Sequence, residues 1–383
     1  MIRHQRLQIF MAEHMLTRPN LSLQNLLIPI QTHIPATAFV GGFCFDLATL
    51  GRIDSYTNFF VHGFWLLISG MILVMTLVAQ SEWTYTGPRI KRRLASSFLK
   101  HDQFVFHFAL GALLSAFTIF YFKSSSAAVS ILFLGLLAGL LILNEMKRFQ
   151  KIGPFIRCML YQIALLTFAT YIIPILLGSL SYAVFALALC SSAAIALGLG
   201  AVLKKLDYPA RSLRLYYLNP TLIAFGLFTG LYASNAIPPI PLSTQHIGVY
   251  HDVRVSKSGY AIKRDPRGQS MLPFAQDTFF ARPADKVFVF TRIFAPRHFS
   301  DSIYLRWQKE LANGSWHTTD TIPMKIRGGR EMGYRGYGYK ADYQAGNWRV
   351  FVETKDGREV GSVSFAIQKD DSDTSRIFQS RVH

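Results

Sequence analysis

Six stretches of this 383-residue chain are apolar over about the 20 residues that a helix needs to cross a bilayer core: Phe59–Ala79, Gln103–Phe122, Ala127–Leu143, Cys158–Leu177, Tyr182–Leu203 and Pro220–Ala236. Six such runs in one chain exclude a single water-soluble domain, and a hydrophobic content of 51% excludes disorder. A seventh run, Leu26–Leu50, carries Pro29, His33, Pro35 and Asp46, but its core from Ile34 is apolar and rich in small residues, so it is counted as a span. The expected architecture is a seven-helix transmembrane bundle over residues 26–236, after a cytoplasmic segment 1–25. No cleavable leader is expected, because residues 1–20 are polar and the first apolar run begins too late.

The net charge of +18 divides between two unlike halves. Residues 1–243 hold 18 Lys/Arg against 7 Asp/Glu, and residues 244–383 hold 22 against 15. In the first half the basic residues collect in alternate loops: 16 fall there, from Arg3 through the Arg89–Lys100 and Lys147–Arg157 groups to Arg214, while the intervening loops hold only Arg52 and Lys123. By the positive-inside rule this puts the N-terminus inside and everything after the last span outside. The basic charge is then an orientation signal with affinity for anionic lipid, and nucleic acid is not an expected partner. All three cysteines, Cys44, Cys158 and Cys190, fall in spans, so the outer domain folds without disulfides of its own.

Ionisable residues in a span are candidate functional groups, because burying them in hydrocarbon is costly. The densest set is Asp46, Arg52, Asp54 and His62, around the first outer loop. It reads either as an outward-facing proton or ligand site or as ion pairs that pin the loop to the helix ends. Gly135-x-x-x-Gly139 is a helix-packing motif without chemistry, and paired broken helices, the usual mark of a transporter site, are missing.

After Pro238-Pro239-Ile240-Pro241, expected to be a stiff extended linker within 237–243, the composition becomes that of an all-β domain over 244–369, followed by a polar tail, 370–383. Short Val/Ile/Phe/Tyr-rich runs at His246–Val255, Lys286–Phe294, Ser302–Leu311, Thr319–Ile326, Tyr334–Ala341, Trp348–Thr354 and Glu359–Ile367 alternate with turn residues. Their spacing suits an immunoglobulin-like sandwich. Asp356-Gly357 predicts a two-residue type I′ turn pairing Lys355 with Arg358. That register sets Trp348 opposite Phe365, Val350 opposite Val363 and Val352 opposite Gly361, on a face expected to be core.

Trp307, Ile326-Arg327-Gly328-Gly329-Arg330, Gly346-Asn347-Trp348-Arg349-Val350 and Asp356-Gly357 together resemble a bacterial domain of unknown function found at the C-terminus of multi-pass membrane proteins. The phrases Gly42-Phe43-Cys44-Phe45-Asp46 and Leu50-Gly51-Arg52-Ile53-Asp54 resemble the opening of the membrane parts of those proteins. The resemblance is good over residues 300–367 and loose over the membrane half. It implies a bacterial inner membrane with the C-terminal domain in the periplasm, and it implies no activity and no site residues.

Nucleophile elbows, zinc-protease helices, phosphate-binding loops and dinucleotide fingerprints are absent, so no cofactor, metal or catalytic residue is assigned. His246, His251 and Asp252 are close in sequence, but a single strand would set positions five apart on opposite faces. One segment stands out: Arg330, then Tyr334, Arg335, Tyr337 and Tyr339 interleaved with glycine. Flat rings beside cations suit a glycan or a lipid headgroup; equally, the glycines permit a bulged strand whose tyrosines pack on neighbours. The expected function is a membrane protein presenting a periplasmic β-sandwich to an envelope glycan, lipid headgroup or periplasmic protein. A proton-coupled transporter or channel using Asp46, and an enzyme on lipid-linked substrates using Asp54 and His62, are the alternatives.

Overall fold

A computed structural model describes residues 41–42, 44–45, 53–79, 102–124, 135, 153–256, 259–269, 276–328 and 333–382. Among these residues four helices are long and apolar enough to cross a membrane: α1 (Tyr56–Ala79), α2 (Asp102–Lys123), α3 (Gly153–Leu177) and α4 (Tyr182–Lys205). The expected number was seven. Runs 26–50 and 127–143 lie almost wholly outside the described residues, and Pro220–Ala236 gives a helix of only 15 residues, α6 (Asn219–Ala233). It continues α5 (Ala210–Leu213) through a π-helical turn, Arg214–Leu218, in which the Asn219 N–H reaches back five residues to the Arg214 carbonyl. Pro220, with no N–H to donate, supplies the reason: the ladder must widen just before it.

The starts of α2 and α3 meet the end of α1 where Asp102, Arg157 and Thr76 join, so α2 and α3 run in the same direction, opposite to α1, and α3 is the central helix, touching α1, α2, α4 and α6. Its buried residues lie all around its axis, from Ile156 to Ile175, as a core helix requires. By contrast, Phe60, Phe64, Leu67 and Met71 form an exposed apolar stripe on α1, and Leu187, Ile195 and Leu197 do so on α4.

The proline-rich segment is not the extended spacer expected from its composition. Residues 237–242 are all buried. Ile237 and Ile240 pack into the helical core and Leu242 into the sheet core, with turns closed by Ile240 N to Pro238 O and Leu242 N to Pro239 O. Apolar side chains at 237, 240 and 242 let one short segment serve both cores, so the β domain is seated on the bundle.

That domain is all-β but has three sheets, where a two-sheet immunoglobulin-like sandwich was expected. The strands are β1 (Ser243–Tyr250), β2 (Asp252–Ser256), β3 (Gly259–Arg264), β4 (Asp277–Ala281), β5 (Val287–Phe294), β6 (Ser300–Glu310), β7 (Trp316–Arg327), β8 (Tyr334–Lys340), β9 (Gly346–Thr354), β10 (Glu359–Lys369) and β11 (Gln379–Val382). Sheet β1-β5-β8 faces sheet β4-β10-β9-β6-β7 across the main core, in which Trp307, Trp348, Val350 and Phe365 are fully buried. A small sheet, β11-β3-β2, covers a second core on the other face of β5, built from Tyr250, Val253, Ile262 and Phe290. One expected strand, 246–255, breaks at His251 into β1 and β2.

The β9–β10 register is as expected at Trp348–Phe365, Val350–Val363 and Val352–Gly361, with the Trp348 face in the core. The turn differs. Thr354 rather than Lys355 pairs with Arg358, across a three-residue loop that ends on Gly357 at φ +81°. This slips the pairing by one residue. A bulge between Glu359 and Gly361 restores it, and the Thr244 hydroxyl donates to the carbonyl of Val360 at 3.0 Å.

Residues 370–382 are likewise not a free polar tail. Arg282 donates to Asp370 (3.0 Å), Ser372 (3.1 Å) and the Thr374 carbonyl (2.7 Å), Arg376 pairs with Asp285, and β11 then pairs with β3. Phe378 packs on His251, whose ring stacks on Phe279 at 4.0 Å and bonds the Phe280 carbonyl at 3.1 Å. Burial holds the His251 imidazole below its ordinary value, so the folded chain keeps it neutral while the unfolded chain protonates first. Its contribution to stability is full above pH ~6.5 and falls as pH drops below that. Burial alone would raise the Asp285 carboxyl, but its hydrogen bonds from Arg376 prevail and hold it low, so the Asp285 contribution is lost only below pH ~4. The melting temperature is therefore expected to decline between pH 7 and 5.5 and to lose that slope in His251→Phe; an unchanged slope in the variant excludes His251 as the source.

Candidate functional site

A cavity of about 500 Å³ lies where the β domain meets the bundle. On one side is the entry to α1, with Asp54, Ser55, Tyr56 and Phe59; beside it is the end of α3, with Ile175 and Leu176. The opposite wall is the loop between β5 and β6, which contributes Arg297 and His298. Tyr56 and Leu176 are mostly exposed, so the groove has a charged wall and an open apolar margin.

The cationic wall is held rigidly. Pro296 to Phe299 forms a tight turn closed by Phe299 N to Pro296 O at 3.0 Å, with Arg297 and His298 at its two central positions. Buried Phe299 anchors one end. Two glycines then clamp the turn from outside. Gly178, at φ +68° just after α3, lies so close that an added Cβ would overlap the His298 carbonyl, and its own carbonyl accepts from Ser300 N at 2.9 Å. Gly328, from the Arg327-Gly328-Gly329-Arg330 motif, would overlap the Pro296 carbonyl, and its N–H donates to Phe299 O at 2.7 Å. Leu180 N adds a bond to the Asp301 carboxylate at 3.0 Å.

The residues singled out in the sequence scatter over three places. Asp54 lines the groove, whereas His62 does not: it is buried among Phe117, Phe120 and Tyr171, with its Nδ1 3.2 Å from the Tyr171 hydroxyl. Asp54 and His62, considered together in the sequence, are therefore on different surfaces, and the imidazole that shares the groove with Asp54 is that of His298. Asp46, Arg52 and Arg330 lie outside the described residues. The tyrosine–glycine strand divides by face. Tyr334, Gly336 and Gly338 turn to the main core, where the missing side chains let Leu305, Ile322 and Met324 approach. Arg335, Tyr337 and Tyr339 lie on the other face. There Tyr337 packs on Phe288 and Tyr260, and only Tyr339 is exposed, with Lys286 4.8 Å from its ring centre. The alternation is explained by packing, and the four described residues do not form one patch.

A polar cluster that was counted only as loop charge lies at the far end of the bundle. Asp102 accepts from Thr76 at 3.0 Å and from Arg157 at 3.3 Å, with both charged side chains largely buried. Further in, Gln162 donates to Thr221 at 3.1 Å, and Thr221 donates to the Tyr217 carbonyl at 2.6 Å beside the π-helical turn. Asp102 and Arg157 each begin an apolar run, a signal that could have paired them. His246 lies on β1 and His251 at the break between β1 and β2, and among the described residues no His, Cys, Asp and Glu group could hold a metal ion.

Residues 300–367, β6 to β10, match a family described as a protein of unknown function (DUF2914). No curated protein matches the chain. Among solved structures, the Pseudomonas fluorescens alkylpurine DNA glycosylase AlkC bound to DNA containing an abasic site analog aligns at 10% identity. The alignment covers 83% of this chain and 100% of that one, with a TM-score of 0.21, too low to carry an argument about fold or function.

Proposed function

We propose that this chain is a multi-pass protein of a bacterial inner membrane, N-terminus inside, that seats a periplasmic β domain on its helix bundle and binds a phosphate-bearing amphiphile in the groove between them. The observation that carries this reading is the groove itself: a clamped Arg297-His298 turn facing an apolar margin that includes Leu176. Guanidinium and imidazole suit a phosphate, and Asp54 opposite suits the hydroxyl or ammonium of a headgroup. The apolar stripes of α1 and α4 suit acyl chains, and the distribution of basic loops supports the orientation. A second reading, an enzyme acting on the headgroup, has the Asp54 carboxylate and the His298 imidazole on facing walls in its favour.

The test uses the full-length protein in nanodiscs of mixed phosphatidylglycerol and phosphatidylcholine, with retained lipid read by native mass spectrometry. Retention of phosphatidylglycerol is expected to fall by about tenfold in Arg297→Gln, as for loss of a charged hydrogen bond, and to be unchanged in Tyr337→Ala. Equal retention by Arg297→Gln and the unaltered protein rejects the groove. Protection of the β domain from protease added outside spheroplasts rejects the orientation.

A further inference from the structure

A second cavity, about 230 Å³, lies within the β domain, between β1 and the small sheet. Its walls have a different character from those of the junction groove. On β3, Ile262 and Arg264 share a face; on β11, Gln379 pairs with Arg264 and Arg381 with Ile262, so the same face carries Gln379 and Arg381. The two guanidinium groups are thus diagonal neighbours, of which Arg264 is already paired with a carboxylate and Arg381 is exposed. Across the cavity, His246 and Tyr250 of β1 are joined by a 2.7 Å hydrogen bond, and Gln269 closes one end.

Among the described residues lining the cavity none is acidic. The nearby carboxylate of Asp277 is engaged by Arg264 at 2.5 Å. Burial raises the Tyr250 phenol, and Arg264 and Arg381 oppose that rise while Asp277 adds to it. Two glutamine amides, a phenol and an imidazole add donors and acceptors in the mixture that hydroxyl groups require. The volume is below the usual range for drug-sized ligands and suits a single sugar ring.

We propose that this cavity binds a small polyhydroxylated oxyanion, a sugar acid or sugar phosphate, with Arg264 and Arg381 on the anion and Gln269, Gln379 and His246 on the hydroxyls. The C-terminal strand is therefore a wall of a binding site, because β11 carries two of the five polar contacts. The site is separate from the junction groove and does not depend on it.

Thermal unfolding of the full-length protein in detergent is measured with glucuronate, glucose 6-phosphate, glucose and inorganic phosphate. A saturable rise in melting temperature is expected with glucuronate or glucose 6-phosphate, and none with glucose. Whichever of the two anions gives the rise identifies carboxylate or phosphate as the preferred group. Arg381→Gln, an exposed substitution, is expected to weaken binding about tenfold while leaving the unliganded melting temperature unchanged; Gln269→Ala, also exposed, tests the hydroxyl contacts in the same way. No saturable rise with either sugar anion, or undiminished binding in Arg381→Gln, overturns the proposal. An equal rise from inorganic phosphate overturns the polyhydroxyl assignment.

Discussion

Replacing Asp356 by alanine is expected to cost about 3–5 kcal/mol and to loosen the β domain from the bundle, although the residue lies in a two-stranded turn. The turn between β9 and β10 points into the helices. Arg358 is 3% exposed, its guanidinium lies 4.6 Å from the ring centre of Tyr232 in α6, and Tyr232 in turn stacks on Phe185 of α4. The surrounding groups include Tyr121, Thr170 and Pro174. Asp356, paired with it at 2.7 Å, is the buried counter-charge, and without it a guanidinium stays in an apolar socket. Asp356→Ala/Arg358→Met, which removes both charges and keeps an apolar side chain, is expected to recover most of the loss. The measurement is thermal unfolding of the full-length protein together with its rate of proteolysis near residues 234–244. A cost below about 1 kcal/mol for the single variant would show that water reaches the pair.

Trp348→Ala is expected to cost a similar amount, about 3–5 kcal/mol, because it empties the centre of the main core. Trp348 and Trp307 offer a sharper comparison. Both are essentially unexposed, but the Trp348 indole N–H donates to the Gln344 carbonyl at 2.9 Å, while the Trp307 N–H is buried without an acceptor among the described residues. Phenylalanine at 348 orphans a carbonyl, whereas at 307 it removes an unsatisfied donor. Trp348→Phe is therefore expected to be more costly than Trp307→Phe by about 1 kcal/mol, read by chemical unfolding. Equal costs would mean that the indole bond contributes nothing.

The strands most legible in the sequence were those with strict alternation. Trp348, Val350 and Val352 against Phe365 and Val363 specify a register by their hydrophobic period, and the structure keeps it even though the turn chosen from Asp356-Gly357 was the wrong type. Side-chain burial over three pairs outweighs the preference of one turn, and the bulge at Val360 absorbs the difference. Strands β3, β4 and β11 were missed because they are four to six residues long and are held by long-range partners: Arg264 to Asp277, Arg282 to the 370–374 segment, β11 to β3. Local composition there reads as loop. The groove was legible only through Asp54. Arg297 and His298 had no motif, and their role follows from two glycines, at 178 and 328, that approach one turn from opposite sides.

The sequence alone determined that one half of the chain is a set of long apolar helices and the other an all-β domain, because these properties rest on run length and on the period of burial. It also supplies the alternation of basic loops on which the proposed orientation rests. Only the tertiary structure decided that the proline segment is a packed joint, that the C-terminal residues form a wall of the β domain, and that Asp54 lines one groove with Arg297 and His298 while His62 lies elsewhere. Each of these depends on contacts between residues more than a hundred positions apart, or on two cores sharing one segment, and neither leaves a local trace in composition.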